Sequence, residues 1–146
     1  MIRHLIGLLL AAPLLFASTG ALAQERAYTE GDVIEISAIK IMPGMFDAYL
    51  KYLDTTYKGL MEEYKKAGLV VDYKVFVTNA RSPHDPDLLL TIRYKNWAAL
   101  DGLEERMEPI ANKVWGSRAA SNQASADRGK MRETLGVEYV QELKLK

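Results

Sequence analysis

Residues 33–50 read VIEISAIKIMPGMFDAYL, and this stretch passes from one kind of structure to another. Its first half, residues 33–41, is rich in β-branched side chains and predicts a strand. Pro43 and Gly44 favour a turn, because proline fixes one backbone dihedral and glycine tolerates a positive φ. From Phe46 onward apolar residues recur every three or four positions, which predicts a helix with one face on the core.

The predicted first helix has two chemically different faces and should end at Gly68. The apolar face consists of Phe46, Tyr49, Leu50, Leu53, Tyr57, Leu60, Met61 and Tyr64. The opposite face carries acid-before-base pairs four residues apart, the order that stabilises a helix. These pairs are Asp47 with Lys51, Asp54 with Lys58, and Glu62 with Lys66.

Two further strands are predicted after this helix. Residues 69–78 (LVVDYKVFVT) and 88–95 (LLLTIRYK) alternate or are rich in β-branched residues. The segment between them, residues 79–87, holds two prolines and predicts a loop.

The last third of the chain predicts a second helix and a fourth strand. Asn96 is a suitable N-cap for a helix that begins at Trp97. Residues 116–134 are polar and small, and their sequence is compatible with either a helix or a loop. Residues 137–145 (VEYVQELKL) alternate and predict the last strand. The order βαββαβ favours an α+β fold of the ferredoxin-like type, a four-stranded antiparallel sheet with two helices on one face.

The N-terminus has the layout of a secretory signal peptide. A short basic start is followed by an apolar stretch, residues 5–17, and by the small-residue site Ala21-Leu22-Ala23. Cleavage after Ala23 would leave residues 24–32 as a polar leader and residues 33–146 as one domain. We therefore expect a periplasmic or secreted protein that has no membrane segment once the signal is removed. An uncleaved membrane anchor is the alternative, although the apolar stretch is short for a bilayer.

Composition excludes several classes of protein. The 146 residues contain 19 basic and 19 acidic side chains and no cysteine. A balanced charge argues against nucleic-acid binding through phosphate contacts. Without cysteine there is no disulfide, thiolate nucleophile or cysteine-bound metal. We expect no metal and no cofactor.

In its element order and junctions the chain resembles the dimeric α/β-barrel superfamily of ferredoxin-like domains. The resemblance covers roughly residues 33–145 and rests on soft patterns: the Ile41-Met42-Pro43-Gly44 junction, the Gly68 exit, and the strand that runs into Tyr94-Lys95-Asn96-Trp97. It implies two sheets paired face to face. The superfamily includes cofactor-free monooxygenases, haem-degrading enzymes, isomerases and members of unassigned activity, so the resemblance selects no function.

Strand alternation separates a face under the helices from a mixed outer face. The inner set is nearly all apolar on the second to fourth strands, whereas the first strand is ambiguous. The mixed face predicts a homodimer interface that a second copy would cover, with a solvated face on a monomer as the alternative. The interface candidates are Lys74, Phe76, Leu89, Arg93 and Val140.

Aromatic residues predict a half-polar pocket between sheet and helices, because buried phenols need hydrogen-bond partners. The pocket candidates are Tyr57, Tyr73, Tyr94, Trp97 and Tyr139, with the segment 118–127 as a natural lid. An aromatic core whose hydroxyls reach its rim fits the same pattern.

The sequence contains no recognisable catalytic constellation. His84 lies in an acidic loop, where a solvent-exposed role is favoured over a metal site, and neither predicted helix offers a histidine for haem chemistry. Two functions remain open. One is an exported homodimer that binds a small apolar or aromatic molecule or a protein partner. The other is a cofactor-independent monooxygenase or isomerase that acts on an aromatic or quinone-like compound.

Overall fold

The computed structural model describes residues 25–146, so the predicted signal peptide, residues 1–23, lies outside the described residues. The elements are β1 (Tyr28–Ile41), α1 (Phe46–Tyr52), α2 (Lys58–Lys66), β2 (Asp72–Val77), β3 (Leu88–Tyr94), α3 (Leu103–Trp115), α4 (Arg118–Met131) and β4 (Arg132–Leu145). A π-helical turn, Leu53–Tyr57, joins α1 to α2, and a 3-10 turn, Trp97–Leu100, precedes α3. None of the helices in residues 25–146 is long and apolar enough to cross a bilayer.

The four strands form one antiparallel sheet in the order β2-β3-β1-β4. This is the strand order of the ferredoxin-like fold, and the predicted α+β class with its element order is confirmed. The turn at Pro43 and Gly44 is also present, with Gly44 at φ 77°. Gly68 follows α2 with φ 71°, as a helix-ending glycine does.

The first strand begins earlier than predicted. Residues 24–32 were expected to be a loose leader, yet β1 starts at Tyr28, which pairs with Leu145 at the far end of β4. Only long-range pairing with β4 holds this polar stretch as a strand, and local sequence carries no signal of it.

The segment left open between helix and loop is a helix, α4. Its N-cap Ser117 accepts a hydrogen bond from the Ala120 amide at 3.1 Å. The second predicted helix is shorter than expected, because Asn96 caps only the 3-10 turn, through the Ala99 amide at 3.0 Å. Gly102, at φ 58°, then separates that turn from α3.

The core between the sheet and the helices consists of two clusters of buried side chains. One contains Val33, Met61, Tyr64, Val70 and Tyr94, and the other Ile39, Tyr49, Leu53, Leu88 and Leu90. The central strand β1 contributes to both clusters, through Val33 and Ile39. Between these two positions its inward-facing residues are Glu35 and Ser37. Glu35 and Ser37 thus form a polar interruption between the two clusters, and the candidate site lies there.

A polar clasp holds the loop 79–87 against the end of β1. The Asp87 carboxylate accepts hydrogen bonds from the Ile41 amide at 2.8 Å and from the Lys40 ammonium at 3.0 Å. The hydrogen bond from the Ile41 amide, helped by Lys40, lowers the pKa of Asp87. The clasp fixes the β2–β3 connection to the central strand.

Candidate functional site

A cavity of about 640 Å³ lies between the sheet and helices α2, α3 and α4; we call it the main cavity. Apolar side chains of α2, α3 and the sheet form much of its wall. They include Met61, Ile92, Leu103, Met107 and Ala111. The first turns of α4 close one side with Arg118, Ser121 and Asn122. The segment expected to act as a lid therefore does border a cavity, as a helix.

A carboxylate held by two phenols forms the polar floor of the main cavity. Oε2 of Glu35 accepts hydrogen bonds from the Tyr94 hydroxyl at 2.9 Å and from the Tyr139 hydroxyl at 3.2 Å. Burial raises the pKa of Tyr94 far above its usual range, and the negative charge of Glu35 raises it further. Burial and Glu35 raise the pKa of Tyr139 in the same direction. Both phenols therefore stay protonated and donate to Glu35 at neutral pH.

Register explains why these three side chains meet. Glu35 sits on β1 directly opposite Tyr139 of β4, and opposite Ile92 of β3. Tyr94, two residues beyond Ile92, reaches Glu35 diagonally across the sheet. Sequence reasoning missed Glu35, because the first strand is apolar on both faces. Glu35 is two residues from the apolar Val33, and strand alternation from Val33 would place it on the inner face.

Trp97, a pocket candidate, lies beside the network but does not line the main cavity. Its indole Nε1 donates to Gln141 Oε1 at 3.0 Å, and its ring centroid lies 6.4 Å from that of Tyr139. The side chain remains half-exposed. Trp97 thus flanks Tyr139 at the rim.

Tyr73 lies opposite Ile92 on β3 and contacts the candidate Tyr57, but it does not line the main cavity. Its hydroxyl donates to Glu62 on α2 at 2.8 Å, and burial together with Glu62 raises its pKa to about 12. The Tyr73 ring meets the Tyr57 ring edge-on, with centroids 5.8 Å apart. Tyr73 therefore joins β2 to α2 as a structural contact.

A second cavity of about 270 Å³ adjoins the main one, and we call it the inner cavity. The two cavities share four lining residues: Glu35, Met61, Tyr64 and Ile92. Tyr57, the last residue of the π-helical turn, lines the inner cavity, as do Tyr49, Arg128 and Arg132. The buried hydroxyls of Tyr49 and Tyr57 have no hydrogen-bond partner in the described chain. Of the five pocket candidates, Tyr94 and Tyr139 line the main cavity and Tyr57 lines the inner one.

All five interface candidates lie on the outer sheet face, away from the helices. Phe76 opposes Leu89, and Lys74 opposes Thr91 on the neighbouring strand. Arg93 and Val140 flank Ile34 of β1 on its two sides, and Arg93 forms an ion pair with Asp32 at 3.4 Å. The side chain of Phe76 is 47% exposed and that of Val140 is 40% exposed.

The loop that carries His84 is an exposed turn. Asp85 holds its shape by accepting hydrogen bonds from the amides of Arg81 at 2.7 Å and Ser82 at 2.9 Å. Within residues 25–146 there is no group of three or more histidine or carboxylate residues arranged to hold a metal ion.

No protein-family model matches the sequence, and no curated protein matches it significantly. Solved structures do resemble the fold. HapK from Hahella chejuensis superposes with a TM-score of 0.52 at 14% sequence identity, over 75% of this chain and 91% of that one. A NIPSNAP family protein of unknown function from Agrobacterium tumefaciens gives 0.49 at 14% identity, over 80% and 90%. A dimeric ferredoxin-like protein from an uncultured marine organism gives 0.38 at 11% identity, over 80% and 96%.

At such low identity the similarity concerns the fold and not the activity. The element order and the strand order β2-β3-β1-β4 thus make the chain a ferredoxin-like α+β domain, and its fold is similar to that of HapK.

Proposed function

We propose that this chain is an exported, homodimeric domain that binds a small organic molecule in the main cavity. The observation that carries the proposal is a cavity of about 640 Å³ in which apolar side chains of α2, α3 and the sheet stand beside polar ones, with the Glu35 carboxylate at its floor. Pockets for small molecules fall in the range of about 300–1,000 Å³.

The wall and floor favour a flat, partly apolar ligand. Met61, Ile92 and Met107 offer flexible or aliphatic contact surface, which suits an aromatic ring. The Glu35 carboxylate has one oxygen, Oε1, that receives no hydrogen bond from residues 25–146. A hydroxyl or N–H donor on the ligand would fit this oxygen.

A paired substitution tests binding. Ala111→Phe places a ring into the main cavity, whereas Ala119→Phe makes the same change on the exposed side of α4. We expect native mass spectrometry to find a retained ligand in the wild type and in Ala119→Phe but not in Ala111→Phe. A thermal-shift screen with aromatic compounds should give the same pattern, since a ligand at 100 times its Kd stabilises by about 2.7 kcal/mol. Equal occupancy in both variants would place the ligand elsewhere.

The outer sheet face supports the homodimer. Ile34, Ile36, Phe76, Leu89 and Val140 form an apolar patch among charges, and such a patch is rare on a solvated sheet. Light scattering at micromolar concentration should give about twice the monomer mass, and a strict monomer would contradict the proposal.

Export is supported by the basic start, apolar stretch and Ala21-Leu22-Ala23 site of the sequence. N-terminal sequencing of protein from the periplasm or medium should find Gln24 first. An intact Met1 in that material would contradict cleavage.

The Glu35 network favours one alternative, a cofactor-independent isomerase. A carboxylate that faces a cavity can remove a proton from a bound carbon acid and return it to a neighbouring position. Glu35→Gln should then abolish solvent-deuterium exchange into a bound ligand while the ligand is still retained. Exchange that survives the substitution would exclude Glu35 as the base.

A further inference from the structure

The inner cavity contains hydrogen-bond donors that lack acceptors. The hydroxyl of Tyr57 is buried without a hydrogen-bond partner among residues 25–146. The Tyr49 hydroxyl and Nε of Arg132 are also buried without a well-formed hydrogen bond, although Arg132 lies close enough to Tyr49 to lower its pKa. Tyr49 is fully buried, at 0% exposure. Buried polar groups are normally satisfied, so three such groups around one cavity favour a polar group, from a ligand or from water, inside it.

One end of the same cavity carries the charges of Arg128 and Arg132, whereas the Glu35 carboxylate lines another part of it. Arg128 donates to the Tyr52 hydroxyl at 3.4 Å and to Ser125 at 3.2 Å, and Arg132 donates to Thr134. No carboxylate of residues 25–146 lies within 4.0 Å of either guanidinium. Burial raises the pKa of Tyr49, whereas the positive charges of Arg132 and Arg128 act to lower it. Both guanidinium groups are therefore close enough to influence the Tyr49 hydroxyl. The cavity therefore presents donors and cations to any group that enters it.

The positive end lies far from the negative floor of the main cavity. Arg132 pairs with Ile41 on β1, six residues beyond Glu35. Six residues of strand separate the backbone positions by about 20 Å, and the side chains of Arg132 and Glu35 extend from them to line the same inner cavity. Between these ends the inner cavity is lined by apolar side chains, among them Ile39, Leu60 and Leu90. A ligand that spans the two cavities would thus meet cations at one end and a carboxylate at the other.

We propose that the inner cavity binds the carboxylate of a small organic acid through Arg128, Arg132 and Tyr49. The acid's apolar body then lies beside Leu60 and Ile92. A carboxylate offers acceptor sites on two oxygens, which matches the unpartnered donors. This assignment rests on the proposed function and specifies the ligand's chemical class.

Matched probes test the charge requirement. We would titrate the natively purified protein with 4-hydroxybenzoate and hydrocinnamate, and with the primary amide of each, by calorimetry at neutral pH. Inorganic phosphate at equal ionic strength controls for any small anion. The acids should bind about tenfold or more tightly than their amides, because a charged hydrogen-bonded contact is lost with the amide.

Variants assign the preference to the inner cavity. Arg132→Gln and Arg128→Gln should each reduce acid affinity about tenfold and leave amide affinity unchanged. Arg81→Gln makes the same charge change in the exposed loop 79–87 and should have no effect. Tyr49→Phe provides a second test in case the arginine variants do not fold. It removes an unpartnered buried hydroxyl, so the ligand-free protein should resist urea at least as well as wild type while its acid affinity falls.

The outcomes separate this inference from the proposed function. Equal affinity for acids and amides, or an acid preference that survives Arg132→Gln, would overturn the carboxylate site and leave binding in the main cavity standing. Binding of neutral aromatic compounds alone would do the same. Binding of phosphate as tight as that of the acids would also overturn the assignment to an organic acid. Absence of every ligand would overturn both.

Discussion

The hydrogen bond from Tyr94 to Glu35 should contribute more to the free energy of unfolding than the hydrogen bond from Tyr139 to Glu35. Both phenols donate to the same oxygen of Glu35, at 2.9 Å and 3.2 Å respectively. Their environments differ, because Tyr94 is 2% exposed and Tyr139 is 45% exposed. Replacement by phenylalanine keeps each ring and removes only the hydroxyl. The pair therefore compares one bond in the core with one at the surface.

A hydrogen bond to a charged group contributes about 1.5–3 kcal/mol where water is excluded. We expect Tyr94→Phe to lower the free energy of unfolding by about 2 kcal/mol. Tyr139→Phe should cost below about 1 kcal/mol, because water replaces the lost donor. With a urea m-value of about 1.5 kcal/mol/M, the Tyr94→Phe midpoint falls by about 1.3 M.

The pH dependence gives an independent check of the sign. The pKa of Tyr94 is raised in the folded protein, so its contribution is complete below the unfolded value near 10. That contribution is lost as pH rises toward the folded value. The gap between wild type and Tyr94→Phe should be constant from about pH 7 to 9 and shrink above about pH 10. Equal costs for the two variants, or a gap that widens in alkali, would refute the reasoning.

Three further predictions concern the floor, the clasp and the outer face. Glu35→Gln should move the alkaline rise of tyrosinate absorbance to lower pH, because the charge that raises the pKa of both tyrosines is gone; an unchanged curve would contradict the network. Asp87→Asn should cost about 1–2 kcal/mol in urea unfolding at pH 7. The pKa of Asp87 is lowered, so this gap is present above about pH 4 and should close as pH falls below it; a gap unchanged at acidic pH would count against the clasp. Phe76→Asp should halve the mass in light scattering while Val114→Asp, an equally exposed position on α3, should not; the same mass for both would remove the outer face from the interface.

Much of the fold follows from local periodicity. Within the observed bounds of β2, β3 and β4 the inner and outer faces agree with the register. The second strand begins at Asp72 and not at residue 69, and before it alternation is wrong, because Val70 is buried and Val71 is exposed. The helix from Phe46 to Lys66 follows from its apolar stripe, although nothing in the spacing indicates the π-helical turn within it. Asn96 is correctly predicted to be an N-cap. The turn that it caps is short, because Gly102 separates that turn from α3.

The parts that sequence could not provide depend on distant contacts. Residues 28–32 are a strand only because β4 lies alongside, and α4 has too little apolar character for its helix to be read from a stripe. Prediction of the candidate site also depends on distant contacts. Tyr94 and Tyr139 were recognised as inward-facing, but Glu35 and the arginines of the inner cavity were not, because their roles depend on which neighbours the fold brings to them.

The inward-facing carboxylate also has a consequence for how the sheet selects its pairing. β1 is apolar on both faces, with Val33 and Ile39 inward and Ile34 and Ile36 outward. A one-residue slip would exchange one apolar set for the other, so hydrophobic burial separates the two registers poorly. The slip would, however, move Glu35 away from both phenols and leave it on the outer face. The network thus discriminates against a misregistered sheet, a contribution to folding specificity that is independent of any ligand.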